Sequence, residues 1–192
     1  MSERKPVLVV VDVQNGFITE HSQSVVPVIA DLVRRWQAAC GDVVFTRYLN
    51  YPGSPFERLI GWTKMTDGPQ TELVSELTPY VGPQTPVIEK YIYTLFTPEG
   101  TNLVDERGWT DLYVCGIDTE ICVLKTAVDA FEHGNLTPWI IQDASASHAG
   151  NAAHDAGLLV ARRFIGHRQI IRAADLPLAY TPPLTNSAPC TD

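Results

Sequence analysis

No apolar run in this 192-residue chain approaches the roughly 20 residues that span a bilayer. The start, Met1-Ser2-Glu3-Arg4-Lys5-Pro6, is charged, and the apolar run behind it, residues 7–11, is too short for a signal-peptide core. A cytoplasmic location without a membrane partner is therefore expected. Basic blocks are also missing. Lys and Arg number 14 against 22 Asp and Glu, a net charge of -8, which argues against nucleic acid as a partner. The four cysteines, Cys40, Cys115, Cys122 and Cys190, contain no C-x-x-C pair, so the common zinc and dithiol signatures are absent. In a reducing compartment no structural disulfide is expected. The histidines His21, His133, His148, His154 and His167 share no metal-ligand spacing and read as surface or helix-end residues. A glycine-rich phosphate loop is lacking too. Asp12-Val13-Gln14-Asn15-Gly16 offers a single glycine, which speaks against a nucleotide-binding domain.

What is present is an alternation of strand and helix. Val7-Leu8-Val9-Val10-Val11 is a continuous apolar run of the kind buried on both faces. Residues 25–40 read as a helix with Pro27 in its first turn and Gly41 past its end. Further strands are predicted at 43–47, 86–90, 112–116, 138–141 and 169–171. Helices are predicted at 102–108, 119–133 and 151–164, with a short one possible at 72–77. In the helix 119–133, Val123, Leu124, Ala127, Val128 and Phe131 share one face. This pattern predicts an α/β fold of three layers (α/β/α), doubly wound on a mainly parallel six-stranded sheet. One domain, residues 1–175, is expected, followed by a Pro/Thr/Ser-rich tail at 176–192.

In such sheets the site lies beyond the carboxyl ends of the strands. Asp12 ends the first strand, Lys90 ends the third, and Cys122 follows the fourth. Each alone has a plainer reading, as a turn-forming Asp, a solvated Lys or a buried thiol. Together at one sheet edge they suit nucleophilic catalysis. A thiol at a strand-to-helix junction gains from the positive end of the helix.

The segments Val9-Val10-Val11-Asp12-Val13-Gln14-Asn15-Gly16-Phe17 and Gly116-Ile117-Asp118-Thr119-Glu120-Ile121-Cys122-Val123, with Lys90 between them, resemble the isochorismatase-like cysteine hydrolases. Thr126-Ala127-Val128-Asp129-Ala130 and Gln142-Asp143-Ala144 carry the likeness further. The resemblance implies a triad of Asp12, Lys90 and Cys122 and an oxyanion hole from the backbone N–H groups of Asp118 and Cys122. It also implies a cis peptide at Ile117–Asp118. Nicotinamidases of the superfamily hold a metal with Asp-x-His after the second strand. Here that stretch is Arg47-Tyr48-Leu49-Asn50-Tyr51-Pro52, so no metal and no cofactor are expected. Isochorismatase proper uses no cysteine nucleophile, so Cys122 points to C–N bond cleavage.

The expected activity is hydrolysis of a small amide, carbamoyl or lactam substrate, and the expected partners are that substrate and further copies of the chain, as dimer or tetramer. A non-catalytic binding or regulatory member of the same fold is the alternative. Phe17, Arg47, Tyr48, Trp62 and Tyr91 are candidate substrate contacts from the edge loops, with Tyr93 beside them. Arg47 is a candidate partner for a substrate carboxylate.

Overall fold

Side chains alternate along a strand, so an unbroken apolar run feeds two cores. The first strand, β1 (Pro6–Val11), does this. Leu8 and Val10 enter one core, and Val7, Val9 and Val11 enter the other. The computed structural model of the chain describes residues 4–176. Within them β1 pairs in parallel with β2 (Asp42–Tyr48), and β2 with β3 (Val87–Lys90). On the other side β1 pairs with β4 (Asp111–Ile117), β4 with β5 (Thr137–Ala146), and β5 with β6 (Ile170–Ile171). The order is β3-β2-β1-β4-β5-β6, every pair parallel.

Helix α1 (Val26–Ala38) covers one face with Ile29, Leu32, Val33 and Trp36. The short α2 (Pro55–Ile60) buries no residue. The other face takes Val104 of α3 (Pro98–Arg107), Ala127 and Ala130 of α4 (Leu124–Glu132), and Leu158 and Ala161 of α5 (Asn151–Phe164). The result is the three-layer α/β/α arrangement. Two glycines are required by close approach. A Cβ on Gly116 (φ +124°) would lie 2.1 Å from the carbonyl oxygen of Val11, so β4 reaches β1 only without one. A Cβ on Gly157 would lie 2.7 Å from Cα of Glu120, where α5 packs against the turn holding Cys122.

Several elements differ from the sequence expectations. Residues 72–77 form no helix. Leu73 bridges to Gln14, and Val74 N–H donates to Val13 O at 3.1 Å, so the segment satisfies its backbone against the chain leaving β1. The helix expected from 119 is a wide π turn (Thr119–Val123) followed by α4. That turn shifts the buried stripe to Val123, Thr126, Ala127 and Ala130, leaving Phe131 54% exposed. Strand β5 runs past Ile141 to Ala146. Cys115 and Cys122 are free thiols, whereas Cys40, exposed just past α1, is disulfide-bonded, against the expectation of none. The tail expected at 176–192 lies, beyond Leu176, outside the described residues. No helix among the described residues is long and apolar enough to cross a membrane.

Candidate active site

The strand order reverses between β1 and β4, and such a reversal opens a crevice at the carboxyl ends of the two strands. Asp12 leaves β1 in the left-handed region (φ +50°), which Asp tolerates better than most residues. Its side chain is fully buried. Oδ2 accepts from Lys90 Nζ at 2.6 Å, and Oδ1 accepts from the Thr46 hydroxyl at 2.6 Å. Gln14 braces the same corner. Its Nε2 donates to Tyr48 O and Thr71 O, and its Oε1 accepts from Tyr48 N–H.

Lys90, at the end of β3, is also fully buried. Besides Asp12, its ammonium donates to Ile92 O at 3.1 Å and Tyr93 O at 3.0 Å, so the chain after β3 curls around it. An ammonium has three N–H donors, and three oxygens receive them. Burial alone would lower its pKa, but Asp12 first and Cys122 next outweigh that and hold it above the ordinary value.

Cys122 sits on the wide turn after β4, which Val123 N–H closes on Asp118 O at 3.0 Å. Its thiol lies near enough to Asp12 and Lys90 for both charges to act on it. Burial pushes the thiol pKa well up, Lys90 pulls it down, and Asp12 and Asp118 push it up again. Lys90 favours the thiolate, but burial outweighs it, so the thiol pKa stands above its ordinary value with the Asp12 carboxylate nearby. The Ile117–Asp118 peptide is cis.

Cys122 opens onto a cavity of ≈140 Å3 walled mainly by aromatic side chains. Phe17 and Trp62 stack at 6.2 Å, and Tyr48, Phe56 and Tyr93 meet edge to face. Two candidate contacts fall elsewhere. Arg47 is held by Glu72 and Glu89 in a separate groove, because two carboxylates on its own side of the sheet neutralise it. Tyr91 is half exposed and packs edge-on against Tyr51, because the curl around Lys90 turns it outward and brings Tyr93 in.

His148 was read as a surface or helix-end residue, and it lines this cavity. Asp118 grips it twice, accepting from its backbone N–H at 2.7 Å and pairing with Nδ1 at 2.6 Å. The bond to Asp118 raises the imidazole pKa above its ordinary value, and burial only partly opposes this. The signal that would have found it is the one used for Asp12: His148 follows the carboxyl end of β5, a strand read as ending at Ile141.

Where the resemblance implies a metal motif, Asn50 is fully engaged in folding its own loop. Its Nδ2 donates to Trp62 O and Lys64 O, and its Oδ1 accepts from Tyr51 N–H and the Ser54 hydroxyl. No group of three or more His, Cys, Asp or Glu among the described residues is placed to hold a metal ion. The donor set here does not fit a catalytic metal.

Comparisons agree on one family. The isochorismatase domain model matches residues 6–169. No curated protein matches the chain at a significant level. Among solved structures, N-carbamoylsarcosine amidase from Thermoplasma acidophilum is 25% identical with a TM-score of 0.76, over 90% of this chain and 98% of that one. Nicotinamidase from Bacillus subtilis is 26% identical with a TM-score of 0.76, over 88% and 99%. Pyrazinamidase from Pyrococcus horikoshii, in complex with zinc, shares the fold at 21% identity and a TM-score of 0.72, over 88% and 98%.

Proposed function

The chain belongs to the isochorismatase-domain family, and on that premise we propose that it is a metal-independent cysteine hydrolase of C–N bonds in small amide, carbamoyl or lactam substrates. The observation that carries this reading is the Asp12 carboxylate. It is fully buried, fixed at 2.6 Å by Lys90 and by Thr46, and acts on a neighbouring thiol that opens on a cavity. Similarity to an amidase and a nicotinamidase at 25% and 26% identity supports it.

In this mechanism Sγ of Cys122 attacks the acyl carbon as its proton passes to Asp12. The carbonyl oxygen becomes an oxyanion received by the backbone N–H groups of Asp118 and Cys122. As the C–N bond breaks, Asp12 returns the proton to the leaving nitrogen. Water then attacks the thioester, giving its proton to Asp12, and the C–S bond breaks to release the acid. Asp12 finally returns that proton to sulfur. Lys90 keeps its charge throughout. It offsets the negative charge that builds on Sγ and fixes the carboxylate that shuttles the proton.

The test is a panel of small amides, ureido acids and lactams, followed by ammonia or amine release in wild type and Cys122→Ala. The variant is expected to fall below about one-thousandth of the wild-type rate with an unchanged melting temperature. Equal rates in the two proteins would overturn the reading.

A further inference from the structure

One acid–base pair at the site, Asp118–His148, moves no proton in the proposed steps. Asp118, Cys122 and His148 nevertheless line the same cavity. The Asp118 side chain is 5% exposed and gives both oxygens to His148, one to its backbone N–H at 2.7 Å and one to Nδ1 at 2.6 Å. A carboxylate only accepts, so Nδ1 holds a proton in that bond, and the ring is a cation whenever Nε2 holds one too. Glu120 accepts from the hydroxyl of Ser147, the residue before His148, at 2.7 Å. Two carboxylates thus clasp the turn that carries Cys122 to the loop after β5.

The clasp sets a negative charge where the reaction builds more of it. In the amidase reading the Asp118 N–H receives the oxyanion, and the carboxylate of the same residue stands a few bonds away. That carboxylate also reaches sulfur, since it helps to push the Cys122 thiol pKa up. Like charges repel strongly in a site walled by apolar rings, where water screens them poorly. An uncompensated anion here would slow the attack. Lys90 donates to Asp12, Ile92 O and Tyr93 O, none of them part of Asp118. No lysine or arginine lines the cavity among the described residues.

We propose that His148 is a positioning residue of the reaction: as an imidazolium it holds the Asp118 carboxylate and offsets the charge which that carboxylate places beside the oxyanion. This rests on the amidase reading of the same site.

The surroundings of His148 keep it charged. Asp118 and Glu120 act on it from the turn after β4, and Lys64 from the stretch after α2. Phe17, after β1, and Trp62 pack on its ring at 5.7 and 5.6 Å between centres. His154 of α5 is bonded to Thr119 instead, at 2.8 Å. The bond to Asp118, with Glu120 behind it, outweighs burial and Lys64, so the ring pKa stands above its ordinary value. The cation is therefore present below about 6.5 and is lost as pH rises through the folded value.

The experiment reads Cys122 in two ways, in wild type, His148→Gln, Asp118→Asn and the double variant. One is the rate of Cys122 alkylation by iodoacetamide, followed by peptide mass spectrometry. The other is kcat/KM for the best substrate of the amide panel. Glutamine can still donate to Asp118 but carries no charge. At pH 6.5, His148→Gln should lower both rates roughly tenfold. Adding Asp118→Asn to it should raise both again by roughly fivefold. A purely structural clasp predicts a double variant no faster than His148→Gln, and that result overturns the proposal. In wild type, kcat/KM should fall roughly fivefold or more between pH 6.5 and 9, and the fall should vanish in Asp118→Asn. A flat wild-type profile, or a fall that persists in Asp118→Asn, also overturns it. The wild-type profile decides even where His148→Gln does not fold. Hydrolysis at equal rates in all four proteins sinks the proposal and leaves the amidase reading standing. Alkylation in the expected order, with no amide turned over, sinks the amidase reading and leaves the charge role of His148 at Cys122 standing.

Discussion

Two acid–base pairs flank the nucleophile, and they differ in almost every respect. Asp12–Lys90 is fully buried, joins β1 to β3, and has its other polar atoms engaged by Thr46 and two carbonyls. Asp118–His148 is partly open, joins β4 to the loop after β5, and lines the cavity. The first is saturated and suits fixed charges that move one proton. The second is reachable by water and suits a charge that varies with pH. A buried pair is costly to break, because the surviving partner stays charged in a medium that solvates it poorly. A half-open pair contributes little to stability because water replaces what is lost.

That contrast is most exposed to failure at Lys90. Lys90→Met is expected to lower stability by about 3–5 kcal/mol by stranding Asp12, and to abolish turnover. The double variant Asp12→Asn/Lys90→Met should regain much of that stability but no activity. Urea denaturation compares them, and a single variant as stable as wild type would erase the distinction drawn here. Thr46→Val removes one of the two donors to the carboxylate of Asp12. It should cost about 1–3 kcal/mol and lower kcat more than it raises KM. Steady-state kinetics on any substrate from the amide panel decides this.

At the second pair the expected effect is smaller and depends on pH. The folded pKa of His148 is raised, chiefly by the bond to Asp118, with Glu120 adding to it and burial and Lys64 opposing. The stability that follows is fully present below the unfolded value of about 6.5 and fades as pH rises through the folded value. Asp118→Asn should therefore melt below wild type at pH 6, by an amount that shrinks toward pH 8.5. A gap that stays constant or widens with pH contradicts this account. The smallest effect belongs to Arg47→Ala. Its partners Glu72 and Glu89 are exposed and the cluster lies outside the cavity. Stability should change by less than about 1 kcal/mol and kcat/KM by less than about twofold, read by melting and steady-state kinetics.

The two pairs were also unequally legible. Asp12 and Lys90 each close an apolar run, and Cys122 opens the helix after one, so strand ends located all three. His148 follows a strand whose apolar run breaks at Gln142-Asp143 while the backbone continues in the sheet to Ala146. Hydropathy alone stopped too soon. Arg47 failed for the opposite reason. Its strand end was found, but whether a cation there is free depends on Glu72, which arrives from a loop 25 residues on. The stretch 72–77 misled because helical spacing in a short segment yields to backbone bonds with Val13 and Gln14.

The sequence by itself determined the layered α/β order, the sheet edge that carries the chemistry, and the family. Apolar periodicity and residue type at strand ends are local properties, and they persist in any fold that keeps the strands. Only the tertiary structure decided that Lys90 is fully enclosed by acceptors, that burial outweighs Lys90 at the Cys122 thiol, that Arg47 is spent on two glutamates, and that His148 lines the cavity. Each of these depends on burial and on partners distant in the chain, and the energy of a charge or a hydrogen bond is set by those surroundings rather than by the residue that bears it.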